Sequence, residues 1–169
     1  ALAQIGPPAI EGLVSRIVAP NGTIRDEVVY ALSAIGDQAL PPLLRITENA
    51  NDVIRLAVLR VLAMVGSETT IEPLIAALFE PNQDMRNEAV RGLRNVGHAA
   101  VPELIRRLKN STGAAQAPLV EALAALKEAA ITNVVQLFDE PEERLWIAAS
   151  DILGQMGSTA VPTLRRVLE

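Results

Sequence analysis

Few side chains in this sequence could do chemistry. His98 is the single histidine, and there is no cysteine. A lone His in the glycine- and alanine-rich stretch Gly97-His98-Ala99-Ala100 cannot assemble a Ser–His–Asp nucleophile. Without Cys there is no thiolate nucleophile, no thiolate zinc site and no disulfide framework. Asp139, Glu140, Glu142 and Glu143 form an acidic run. Such a run reads as a solvated helix start, where negative charge meets the positive end of the helix dipole, and not as a cation site. No glycine-rich phosphate loop is present. The expectation is therefore no catalytic residue, no metal and no cofactor. The side chains that remain are those that make binding energy at interfaces, namely Tyr30, Trp146 and a set of regularly spaced arginines.

Composition narrows the partners. The chain has 169 residues, of which 50% are hydrophobic, 2% aromatic and 21% charged, with a net charge of −5. That much apolar content excludes a disordered chain, and the length allows one unit with a sizeable core. A net negative charge argues against the phosphates of nucleic acid. No uncharged apolar run is long enough for a membrane span, and no basic-then-apolar leader opens the sequence. The expected setting is the cytoplasm, and the expected state is a monomer with a protein partner.

The elements that position these residues follow from an internal repeat. Leucine recurs at Leu2, Leu32, Leu62, Leu93, Leu123 and Leu153, in steps of 30, 30, 31, 30 and 30 residues. Four residues later stands glycine, at Gly6, Gly36, Gly66, Gly97 and Gly157, with Lys127 as the exception. A fixed period of this length means stacked supersecondary units, none of which can bury its apolar face alone. Each unit reads as a longer helix that ends at the glycine, followed by a shorter one. Counting back from Gly97, the apolar or small residues Val96, Leu93, Gly92, Ala89 and Met85 fall on one helical stripe. Asn21, Asn51, Asn82, Thr112 and Glu142 stand fifteen places before each closing residue. Asn and Thr there are placed to cap the longer helix. The shorter helix is announced by Gly97-His98-Ala99-Ala100-Val101-Pro102-Glu103-Leu104 and by Gly157 to Leu164, with proline in the first turn, where its missing N–H costs nothing. One extra residue near Thr69-Thr70 accounts for the 31-residue step.

The pattern Ala-Leu-x-x-Ile-Gly-x-x-Ala-Val-Pro-x-Leu resembles the short HEAT-like repeat, the type also called phycobilisome-lyase-like. The pairs Ile24-Arg25, Ile54-Arg55 and Met85-Arg86 match that repeat's apolar–Arg pair at the start of the longer helix. The resemblance implies an all-α fold, a right-handed α-solenoid of about five stacked antiparallel helix pairs. It is expected to form a single domain over residues 1–169, with repeat boundaries near 6, 36, 66, 97, 127 and 157. Neither end shows a polar capping repeat, which reads as a fragment of a longer repeat protein. In this family the Arg column, here Arg25, Arg55 and Arg86, is usually structural. With Asn21, Asn51 and Asn82 it is expected to form a ladder that ties loop carbonyls and side chains of neighbouring repeats. The family's di-iron hydroxylases use repeated His–Glu pairs, and this chain has none.

The non-core places of the longer helices lie two, six, nine and thirteen before the glycine and form one inner stripe. The sixth place reads Tyr30, Arg60, Arg91, Glu121 and Asp151. The others include Glu27, Val53, Ala57, Met64, Asp84, Glu88, Ala114, Arg144 and Ala148, with Leu56 and Ile147 beside them. An apolar stripe rimmed by charge marks an interaction surface. The expected partner-binding residues are Tyr30, Leu56, Arg60, Met64, Arg91, Trp146 and Ile147, on the concave face of a non-catalytic protein scaffold. The resemblance leaves a bilin lyase-type subunit as an alternative, with a nucleic-acid-binding repair protein third. Arg60, Arg91 and Arg144 stand against five carboxylates on the stripe, which argues against the third reading. Trp146 reads equally as an exposed anchor or as a filler that replaces the Arg ladder. Phe79 and Phe138 read as core.

The fourth and fifth repeats break the pattern. Pro118 falls inside the longer helix if that helix follows Thr112, which would kink it; a start near Gln116 is the alternative. Lys127 at the glycine place predicts a turn of altered shape, since positive φ strains a residue with a Cβ. A local change of curvature between residues 111 and 130 is the expectation.

Overall fold

The computed structural model describes residues 7–48 and 50–168, so Leu2, Gly6 and Glu169 lie outside the described residues. The fold is an all-α repeat solenoid. Eleven α-helices are present among the described residues: α1 (Pro7–Val14), α2 (Asp26–Ile35), α3 (Leu40–Thr47), α4 (Asp52–Val65), α5 (Ile71–Ala77), α6 (Gln83–Val96), α7 (Val101–Asn110), α8 (Ala117–Ala125), α9 (Glu128–Val135), α10 (Glu143–Met156) and α11 (Val161–Leu168). The only extended pairing among them is a single antiparallel bridge between Val18 and Ile24. No described helix is long and apolar enough to cross a membrane. The chain divides into two compact units between Asn95 and Val96.

In the first unit α2 packs on α4, α3 on α4, and α1 on both α2 and α3. In the second, α8 packs on α10 and on α7, and α9 packs on α7, α10 and α11. The repeat leucines Leu32, Leu62, Leu93 and Leu123 are buried, as are Leu43, Leu74 and Leu104 of the short helices, so each helix pair closes a layer of core. Small residues let α6 approach α4. A Cβ on Gly92 would lie 2.9 Å from Ala63 Cα and 2.8 Å from both Leu74 methyls. The stripe residues Ala57 and Ala148, expected on the exposed face, are buried instead.

The closing glycines take positive φ, at Gly36, Gly66, Gly97 and Gly157. Lys127 does the same, with φ 51° and ψ −126°, close to Gly36 (76°, −144°) and Gly157 (60°, −141°). The turn therefore keeps its shape and the lysine accepts the strain, contrary to the altered turn expected. The extra residue of the 31-residue step is Ser67, two places before the expected site. It is extended (φ −88°, ψ 164°) between Gly66 and the next 3-10 turn. Its hydroxyl donates to Asp37 Oδ1 at 2.6 Å, and Thr69 Oγ1 donates to the same oxygen at 3.0 Å.

Pro118 does not interrupt a helix. Residues 113–116 form a 3-10 turn and α8 starts at Ala117, which places the proline in the first turn, where it removes no helical bond. This is the late start, and it leaves α8 with 9 residues against 14 in α4, α6 and α10.

Phe79 and Phe138, expected in the core, are 47% and 42% exposed. Each follows a leucine, Leu78 or Leu137, that takes the buried place, and at the end of a short helix the next residue turns outward.

Candidate functional site

The period of 30 to 31 residues puts Tyr30, Arg60 and Arg91 in the same register on α2, α4 and α6. Met64 follows Arg60 by one helical turn, Asp26 precedes Tyr30 by one, and Glu88 precedes Arg91 by three residues, so these side chains share a face. Together with Val29 they line one cleft of about 370 Å³ in the first unit. Tyr30 is 66% exposed, and Met64 and Arg91 are also exposed.

The charges in this cleft are tied to one another. Arg91 grips Glu88 through Nε at 2.7 Å and Nη2 at 2.5 Å, both to Oε2. Arg60 Nη1 donates to Asp26 Oδ1 at 3.2 Å, and its Nε lies 3.6 Å from Glu88 Oε1, beyond hydrogen-bond length. Arg60 Nε is buried and has no hydrogen-bond partner. Asp26 and Val29 were absent from the expected site; their one-turn and one-residue spacing from Tyr30 was the signal available.

In the second unit Ile147 borders a separate cleft of about 290 Å³, with Gln116, Val120, Arg144, Asp151 and Gln155 among its walls. Arg144, placed on the inner stripe by spacing, borders this cleft and also caps α7. It donates to the carbonyls of Lys109 at 2.6 Å and Ser111 at 2.9 Å, and it pairs with Glu142. Leu56 is half-buried on α4 and borders neither cleft. Trp146 is exposed, yet its indole N–H donates to the Glu140 carbonyl at 2.6 Å, so it binds its own loop and borders neither cleft.

The Arg and Asn columns are uneven. Arg86 Nη1 donates to the Glu80 and Pro81 carbonyls at 2.6 and 2.7 Å. Arg55 pairs with carboxylates instead, Glu80 and, at 3.8 Å, Asp52. Arg25 is half-buried just before α2, with its backbone N–H on the Ile17 carbonyl at 2.9 Å. Asn51 Oδ1 accepts from Ile54 N–H at 3.0 Å, and Asn82 Oδ1 from Asp84 N–H at 2.9 Å, each at a helix start. Asn21 does not cap. Its Oδ1 accepts from Thr23 N–H and Oγ1. It sits in the turn of a small hairpin closed by the Val18–Ile24 bridge, and α2 starts only at Asp26. Thr112 and Glu142 accept no capping bond either.

His98 is exposed in the 3-10 turn between α6 and α7. Of the acidic run, Glu140 pairs with Lys109 and Glu142 with Arg144. Among the described residues no group of three or more His, Asp or Glu is placed to hold a metal ion.

Among solved structures the chain is similar to a designed armadillo repeat protein, at 17% identity over 94% of this chain and 87% of that one, with a TM-score of 0.39. It is also similar to an engineered protein from a structural-genomics consortium, at 18% identity over 94% and 88%, with a TM-score of 0.41. No curated protein matches. The family model for the PBS lyase HEAT-like repeat matches residues 24–49, and that for HEAT repeats matches residues 40–124, half of the sequence. The chain belongs to the HEAT-repeat family.

Proposed function

We propose that this chain is a non-catalytic scaffold that binds a partner protein on the face carrying Tyr30, Arg60, Met64 and Arg91. The observation that carries this reading is the convergence of an exposed tyrosine, a methionine and two arginines from α2, α4 and α6 on one cleft. These are residue types that supply interface hot spots, because they combine large contact area with fixed donors. Repeated helix pairs offer such a face without any catalytic group, and the lone exposed His98 offers no acid–base partner. The net charge of −5 favours a protein over nucleic acid.

The test is a selection of displayed peptides on the wild-type chain and on a variant with Tyr30, Arg60 and Arg91 all changed to Ala. Peptides held by the first and lost by the second are expected. Peptides held equally by both would place binding elsewhere, and the reading would fall. The match of residues 24–49 to a repeat named for a lyase motivates one control. A shift of the bilin absorbance band on mixing with the chain would favour the lyase reading instead.

A further inference from the structure

The cleft of α2, α4 and α6 holds more unused donors than acceptors. Glu88 is mostly buried; both bonds from Arg91 go to its Oε2, and its Oε1 lies 3.6 Å from Arg60 Nε, beyond hydrogen-bond length. That leaves Arg60 with one hydrogen bond, to Asp26, whose side chain is 84% exposed. An exposed pair of this kind is weak, because water screens it and two side chains must be held in place. Arg60 Nε has no hydrogen-bond partner, and Tyr30, 66% exposed, lines the cleft with the apolar Val29 and Met64. The two carboxylates cancel the two guanidinium charges, but they leave most of the N–H groups unbonded. A ligand entering here gains most by bringing oxygen acceptors. A cationic ligand would find Glu88 mostly buried, its Oε2 held by two bonds from Arg91 and its Oε1 facing the charge of Arg60.

We propose that this cleft takes an acidic peptide segment, an Asp or Glu carboxylate displacing Asp26 from Arg60 while a neighbouring apolar side chain lies against Tyr30 and Met64. The proposal rests on the scaffold reading above and names the chemistry of its partner. A planar carboxylate on a guanidinium is the geometry that arginine recognises best. Asp26 is then an internal competitor that keeps the empty cleft neutral, and its removal strengthens binding.

The experiment uses the same peptide selection, followed by titration of the enriched peptides into the full chain. Peptides lost on the triple variant are expected to carry Asp or Glu beside an apolar residue. Changing that acid to its amide in the peptide should weaken binding roughly tenfold. Asp26→Asn should tighten it about two- to fivefold, and Arg60→Gln should loosen it roughly tenfold. In the wild-type chain the Arg60 Nε–H NMR signal should move on adding peptide, a readout independent of whether Arg60→Gln folds. Cleft-dependent peptides that are basic or uncharged would overturn this inference and leave the scaffold reading standing. The absence of any cleft-dependent peptide would overturn both. Weakening on Asp26→Asn would also sink the inference, and so would displacement of the peptide by inorganic phosphate at a lower concentration than by acetate.

Discussion

Trp146 and Arg86 make the same bond in different chemistry. Arg86 Nη1 reaches the carbonyl of Glu80 at 2.6 Å, and Trp146 Nε1 reaches that of Glu140 at 2.6 Å, each six residues back along the chain. Both stand in one column of the repeat, and both close the loop that leads into a long helix. Carbonyls at the end of a short helix have no intrahelical donor, so some side chain must supply one. An indole N–H does so as well as a guanidinium, which explains how the column tolerates tryptophan. Trp146→Phe keeps much of the ring but removes the donor, and it is expected to cost about 1 kcal/mol. Trp146→Arg should recover most of that loss. Urea denaturation followed by circular dichroism measures both, and an unchanged midpoint in Trp146→Phe would show that the bond is idle.

Lys127 stores strain that its counterparts avoid. Its φ of 51° and ψ of −126° fit glycine, and a Cβ there crowds the backbone. Lys127→Gly is expected to stabilise the chain by about 0.5–1 kcal/mol, after allowing for the looser unfolded state that glycine brings. Lys127→Ala keeps the Cβ and should stay near wild type. A gain in thermal midpoint for Gly and not for Ala identifies the strain as the cause.

At Gly92 helix α6 lies against Ala63 of α4, and a methyl there has no room. Its Cβ would sit 2.9 Å from Ala63 Cα, which is backbone and cannot swing away. In a free helix Gly→Ala gains about 1 kcal/mol. Here the overpacking reverses the sign, and Gly92→Ala should destabilise by about 1–3 kcal/mol. Ala on the exposed Gly154, where a Cβ meets nothing within 4 Å, should stabilise instead, so the pair separates crowding from propensity in one denaturation series.

Two asparagines of one sequence column should behave differently. Asn51→Ala removes the acceptor for Ile54 N–H and is expected to cost about 1 kcal/mol. Asn21→Ala removes only a local turn contact at an exposed loop and should stay within about 0.5 kcal/mol. Equal losses would contradict the late start of α2.

The period, the helix pairs, the leucine core and the places of the closing glycines are legible in the order of residues alone. Each of these is set by local rules, because 3.6-residue spacing selects the buried stripe and a positive φ selects glycine. That order also brings Tyr30, Arg60 and Arg91 to equivalent places, since equal spacing on stacked helices means one face. Other features needed tertiary structure because they depend on a second segment. Asn21 fails to cap because the Val18–Ile24 bridge closes a turn around it, ahead of the start of α2. Ala57 and Ala148 are buried because neighbouring helices close over them. Arg144 is tied down at the cleft wall because the carbonyl end of α7 lies within its reach. Arg91 meets Glu88 three residues back on its own helix, but only the packed helices bring Arg60 to the exposed Asp26 and within 3.6 Å of Glu88. A one-dimensional period specifies which face a residue is on, but the partner of a charge is chosen by distances in space.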